Sequence, residues 1–164
     1  MAMNSLLSSQ LYDQNTFYKA FEKDLKRART SILIESPFIT LKRMNDLLPL
    51  LRKARQRGIH VIVNSRCPVE HDQELAVQAS LAIRAMHDIG INVLYTGKPH
   101  RKLAIIDHEV LWEGSLNILS QSDSCEVMRR IISTEIASQM ARFLKTDGFI
   151  ASQTMHISRA KSPK

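Results

Sequence analysis

Three short β-branched runs, separated by segments of helical period, constrain the fold of this chain more than any other feature. Ser31-Ile-Leu-Ile-Glu35 reads as a buried strand stopped at Ser36-Pro37, His60-Val-Ile-Val-Asn64 as a second, and Asn92 to Tyr95 as a third. Between them, Leu41 to Arg57 and Glu74 to His87 carry apolar residues at helical spacing, closed by Gly58 and Gly90, which suit the left-handed C-cap conformation. Asn15 to Arg29, with Phe17, Phe21, Leu25 and Ala28 on one face, adds an amphipathic helix before the first strand. Alternation of this kind predicts parallel strands buried beneath helices.

The rule changes after Gly97. Arg101 to Ile106 and Val110 to Glu113 read as two strands joined by the tight Asp107-His108-Glu109 turn, which makes an antiparallel hairpin. A strand near Val127 to Ile132 and a helix from Thr134 to Lys145, ended by Gly148, complete the pattern. The predicted class is therefore α/β: a mixed β-sheet flanked by helices on both faces. A chain of 164 residues suffices for one well-packed core, and residues 1–150 are read as a single domain. The tail 151–164 is polar and basic without periodicity and is read as disordered.

Lys and Arg outnumber Asp and Glu by 23 to 16, a formal net charge of +7, so the surface should attract polyanions such as nucleic acid or acidic lipid. No apolar run approaches the ~20 residues needed to cross a bilayer. Met1 to Leu11 lacks the basic-then-apolar order of a signal peptide, and a cytoplasmic location without stable membrane association is the expectation. Cys67 and Cys125 have no spaced Cys or His companions and are read as free thiols; no metal or cofactor is expected.

The chemistry concentrates in the hairpin. Side chains two apart on a strand share a face, so His100 and Lys102 should project together while Leu103 and Ile105 point the other way. Folding about His108 sets Lys102 near Gly114 and His100 near Leu116, which brings Ser115 and Asn117 alongside. A phosphodiester repels nucleophiles by its charge, and ammonium, amide and hydroxyl donors are the groups that neutralise it without a metal. A neutral imidazole beside such donors can attack phosphorus directly.

Written out, the segment is His100-Arg-Lys102, four residues, Asp107, six residues, Gly114-Ser115-Leu-Asn117, and then Glu126. It resembles the signature of the phospholipase D superfamily, His-x-Lys, four residues, Asp, then Gly-Ser-x-Asn, and especially the short single-motif bacterial nucleases of that family. The resemblance extends from about Phe17 to Gly148. It implies that His100 is the nucleophile, that Lys102, Ser115 and Asn117 hold phosphate, and that Glu126 holds the far nitrogen of the histidine. It also implies that a second motif histidine acts as acid and then base. No second His-x-Lys occurs here, so the resemblance implies a homodimer whose two His100 side chains form one composite site. Asp107 and Gly114 are read as structural, Asp107 through the turn and its local hydrogen bonds.

The implied activity is a metal-independent phosphodiesterase, an endonuclease of low sequence specificity acting on DNA first and RNA second. Two rival readings stand beside it: a phospholipid phosphodiesterase, and a non-catalytic nucleic-acid-binding dimer module. Lys98, Arg101 and Arg66 are the candidates for substrate contact. Arg66 follows a strand whose C-terminal end should open toward the site. His60, His71, His87 and His108 are read as hydrogen-bonded structural residues, the basic runs Lys23 to Arg29 and Arg52 to Arg57 as solvated helix faces, and Phe38 and Trp112 as core.

Overall fold

The computed structural model describes residues 8–144. Its elements run β1 (Ser8–Asp13), α1 (Phe17–Arg27), β2 (Ser31–Glu35), α2 (Leu41–Gln56), β3 (His60–Ser65), α3 (Gln73–Asp88), β4 (Asn92–Tyr95), β5 (Leu103–Ile106), β6 (Val110–Gly114), β7 (Val127–Ile132) and α4 (Thr134–Leu144), with a 3-10 turn at Pro68–Glu70. The expectation of a disordered tail over 151–164 lies outside the described residues.

All seven strands form one sheet in the order β1-β7-β6-β5-β2-β3-β4. β2, β3 and β4 run parallel, and the other pairs are antiparallel, so the sheet is mixed. Strand parity sorts the side chains into two layers. Ile32, Ile34, Val61, Val63, Ala104 and Trp112 face α1, α2 and α3, whose Phe17, Phe21, Leu47, Leu51 and Met86 complete the larger core. Leu33, Ile62, Leu103, Ile105 and Leu111 face Ala137 and Ala141 of α4 in the smaller one. Helices therefore cover both faces, as the alternation predicts.

Three differences from the sequence expectations have physical reasons. The N-terminal strand β1 is mostly polar and exposed, without an alternating apolar face; it is held by pairing with β7 and by Tyr12, whose ring centroid lies 5.0 Å from that of Trp112. β5 starts at Leu103, not Arg101, because its partner β2 ends at Glu35, opposite Leu103. Arg55 and Arg57 are not simply solvated: Arg55 donates to the Ile59 carbonyl at 2.7 Å, and Arg57 to that of Leu25 at 3.1 Å.

Two polar ties pin the frame. Asp107 and His108 occupy the left-handed region (φ 57° and 53°), and Glu109 N–H closes the turn on Ile106 at 3.0 Å. The Asp107 carboxylate accepts from the backbone N–H groups of Arg29, Thr30 and Ser31 and from the Thr30 hydroxyl. Burial pushes its pKa up, but these donors outweigh burial and hold the carboxyl below its usual range. On the larger-core side, Arg130 forks onto Asp24 with two 2.7 Å bonds, and Trp112 Nε1 donates to the same carboxylate at 2.8 Å.

Candidate active site

The C-terminal ends of β2 and β3, the start of β5, the end of β6 and the start of β7 lie along one edge of the sheet, as their registers require. That edge carries His100, Lys102, Ser115 and Glu126. The hairpin register continues one step past β5: Gly114 N–H donates to the Lys102 carbonyl at 3.2 Å. Lys102 Nζ donates to the His100 carbonyl at 2.7 Å, which fixes its ammonium beside the histidine backbone. His100 itself is exposed, and among the described residues its ring takes part in no hydrogen bond.

Gly114 is needed for a close approach. A Cβ there would lie 2.1 Å from the Val127 carbonyl oxygen and 2.9 Å from Met128 Cα, distances that backbone cannot relieve. This contact delivers Ser115 to the start of β7. Ser115 N–H donates to the Val127 carbonyl at 2.9 Å, its hydroxyl accepts from Val127 N–H at 3.1 Å, and the same hydroxyl donates to Glu126 Oε2. Glu126 Oε1 accepts from the Ser124 hydroxyl at 2.7 Å. The Ser115 and Ser124 bonds, with Lys102 nearby, hold the Glu126 carboxyl below its usual range against a small opposing effect of burial. The resemblance implies a bond from Glu126 to His100. In the single chain both carboxylate oxygens instead bond to the serines that flank them, which are local partners within the same loop segment.

Asn117 lies in the turn after Leu116, where its carbonyl accepts from Ser120 and Gln121 N–H, and its buried Oδ1 lacks a protein partner. Two further bonds brace this turn: Leu119 N–H donates to the Ser36 hydroxyl at 3.2 Å, and the Tyr18 hydroxyl donates to the Ile118 carbonyl at 2.8 Å.

The substrate-contact candidates separate. Arg101 lies on the α4 side of the sheet, where its Nε donates to Glu35 Oε1 at 2.6 Å. Glu35 is fully buried, and its other oxygen accepts from Asn64 Nδ2 at 3.2 Å, while Thr96 donates to Asn64 Oδ1 at 2.9 Å. The sequence reading missed this chain of partners. Its available signal is a charged residue ending an apolar strand, with Asn64 directly opposite in parallel register. Lys98 is exposed at φ 48°.

Arg66 forms a separate group with Phe38 and His71. Its guanidinium lies 5.2 Å from the Phe38 ring centroid, and the Phe38 and His71 rings are 5.5 Å apart. Phe38 is thus half-buried against polar neighbours, not part of the core, because Pro37 turns the chain out of the sheet. His71 also departs from expectation: its Nε2 is buried without a hydrogen-bond partner. Trp112 is fully buried in the core. Among the described residues, no cluster of His, Cys, Asp and Glu could hold a metal ion, and no helix is long and apolar enough to cross a membrane.

A family model described as cardiolipin synthase, PLD-like domain, matches residues 21–147, which include every residue of the edge cluster. The chain belongs to the phospholipase D-like family. It is thereby a member of a superfamily of phosphodiesterases and related phosphoryl-transfer enzymes. Solved structures share this phospholipase D-like fold. Nuc from Salmonella typhimurium, a phospholipase D family member, superposes with a TM-score of 0.70 at 18% identity over 85% of this chain and 92% of its own. NucT from Helicobacter pylori gives 0.68 at 17% identity over 85% and 94%. Polyphosphate kinase from Porphyromonas gingivalis gives 0.68 at 17% identity over 86% of this chain but 26% of its own. No curated protein sequence matches the phospholipase D-like chain significantly.

Proposed function

We propose that this chain is a nuclease: a phosphodiesterase that cleaves nucleic acid through a phosphohistidine at His100, with low sequence specificity. The observation that carries the reading is the edge cluster, in which exposed His100 has the Lys102 ammonium bonded to its backbone carbonyl and lies on the same edge as the Ser115–Glu126 hydroxyl–carboxylate pair. The net positive charge of +7 supports a polyanionic substrate, and the fold shared with Nuc and NucT over nearly their whole lengths supports the same assignment.

In this mechanism the neutral imidazole of His100 attacks phosphorus, and the ester bond to the leaving sugar oxygen breaks. Lys102 and Asn117 neutralise the charge gathering on the non-bridging oxygens. The leaving oxygen takes a proton from a second imidazolium. That imidazole then removes a proton from water, which attacks the phosphohistidine and restores His100. The second histidine is His100 of a second copy of the chain, placed across a two-fold axis. Glu126, kept ionised by its serines and Lys102, supplies the negative charge that favours imidazolium in such a composite site.

Cleavage of single- and double-stranded DNA and of RNA, measured with EDTA present, tests the proposal. Activity that survives chelation and falls by about three orders of magnitude or more in His100→Ala, with dimerisation intact by analytical ultracentrifugation, is expected. A magnesium requirement, or full activity from a monomer, would overturn the mechanism. Hydrolysis of phosphatidyl vesicles without oligonucleotide cleavage would replace the substrate class, and binding without turnover would leave a non-catalytic module.

A further inference from the structure

Resting on the nuclease reading, we propose that the groove between the start of β5 and α4 is a nucleobase subsite, in which the base flanking the cleaved phosphate stacks on Phe143. The groove encloses about 450 Å³, within the range of small-ligand sites, and it opens on the α4 side of the sheet. Leu103, Met140 and Phe143 give it apolar surface, and Arg101, Lys102 and Arg129 outnumber the one carboxylate in its lining, Glu113. Lys102 and Gly114 are among its lining residues, so it borders the edge that carries the proposed catalytic groups.

Two features fit a base with its phosphate. Phe143 is 70% exposed, although α4 buries Ala137 and Ala141 on its other side. An aromatic ring left in water beside cations is what nucleic-acid strands stack upon. Arg101 supplies the second feature. Its guanidinium carbon lies 6.0 Å from the Phe143 centroid, and the 2.6 Å bond from Nε to fully buried Glu35 holds the fork in place. Anchored through Nε and 43% exposed, the guanidinium has its terminal amino groups available for phosphate. Glu35 is thus a positioning residue, and Phe143 and Arg101 are the substrate contacts.

The test compares a single-stranded oligonucleotide with the same backbone carrying abasic residues. In Phe143→Ala, KM for the base-bearing oligonucleotide should rise by about tenfold or more, with kcat and the abasic KM unchanged. Phe143→Trp should restore it. Arg101→Ala should raise KM for both oligonucleotides. Equal losses on both substrates in Phe143→Ala, no change on either, or conversion of the dimer to a monomer would overturn the subsite while leaving the nuclease reading standing. Wild-type protein that cleaves neither oligonucleotide sinks the nuclease reading itself.

Discussion

The Ser115 hydroxyl donates its proton to Glu126 while accepting one from the backbone N–H of Val127, so a single side chain joins the end of β6 to the start of β7 and sets the charge of the edge. Replacing it with alanine removes the largest cause of the lowered Glu126 pKa. Folding lowers this pKa, so the contribution to stability is complete above the unfolded value and disappears as pH falls through the folded one. Ser115→Ala should move the Glu126 titration upward by carbon-13 NMR, and should flatten the acid limb of the stability profile.

Lys102 is held by the backbone carbonyl of His100, the residue proposed to attack phosphorus. Loss of its charge removes stabilisation that grows as phosphorus becomes pentacoordinate. Lys102→Met should lower kcat by about a hundredfold or more. Single-turnover kinetics check this, with binding of labelled oligonucleotide reporting whether KM moves separately.

Asp107 satisfies three backbone N–H groups at the entrance to β2 as well as the Thr30 hydroxyl. Asp107→Ala leaves those donors without their carboxylate and should cost roughly 3 kcal/mol in urea unfolding. The lowered pKa gives the sign of the pH effect: wild-type stability from this group is lost only as pH falls below the ordinary carboxylate range. The difference between wild type and Asp107→Ala should shrink there.

Asp24, buried under Trp112 and Arg130, joins α1 to β6 and β7. Removing only the carboxylate strands a guanidinium in a largely buried place. Asp24→Ala should destabilise by about 3–5 kcal/mol, read as a lower Tm and a lower urea midpoint.

Gly114→Ala tests the close approach of β6 to β7. The added Cβ meets the Val127 carbonyl and Met128 Cα, which belong to the partner strand. A loss of about 2 kcal/mol or more, together with disruption of the Ser115–Glu126 pair, is expected from thermal unfolding and a crystal structure.

Much of the fold was legible in periodicity. Ser31–Glu35, Asn92–Tyr95 and Val127–Ile132 have the bounds their apolar, β-branched patterns suggest, although only the first is buried throughout. β1 was not legible: Ser-Ser-Gln-Leu-Tyr-Asp has no alternating apolar face, and it is held by pairing with β7 and by Tyr12 packing against Trp112. The adjacency of Lys102 and Gly114 follows from a hairpin count, whereas the Glu35–Arg101 bond depends on β5 landing beside β2, a non-local event. The same holds for Phe38, Arg66 and His71, which meet only because β2 and β3 end side by side.

Strand order also bears on how the sheet assembles. Among the described strands β1 pairs with β7 alone, Ser8 facing Ile132, so its place in the sheet depends on a strand distant in sequence. β2, β3 and β4 can assemble with their helices before that pairing forms, while β1 stays unpaired. The finished sheet, and with it the loop in which Gln14 receives the N–H of Glu126, closes in a late step of high contact order.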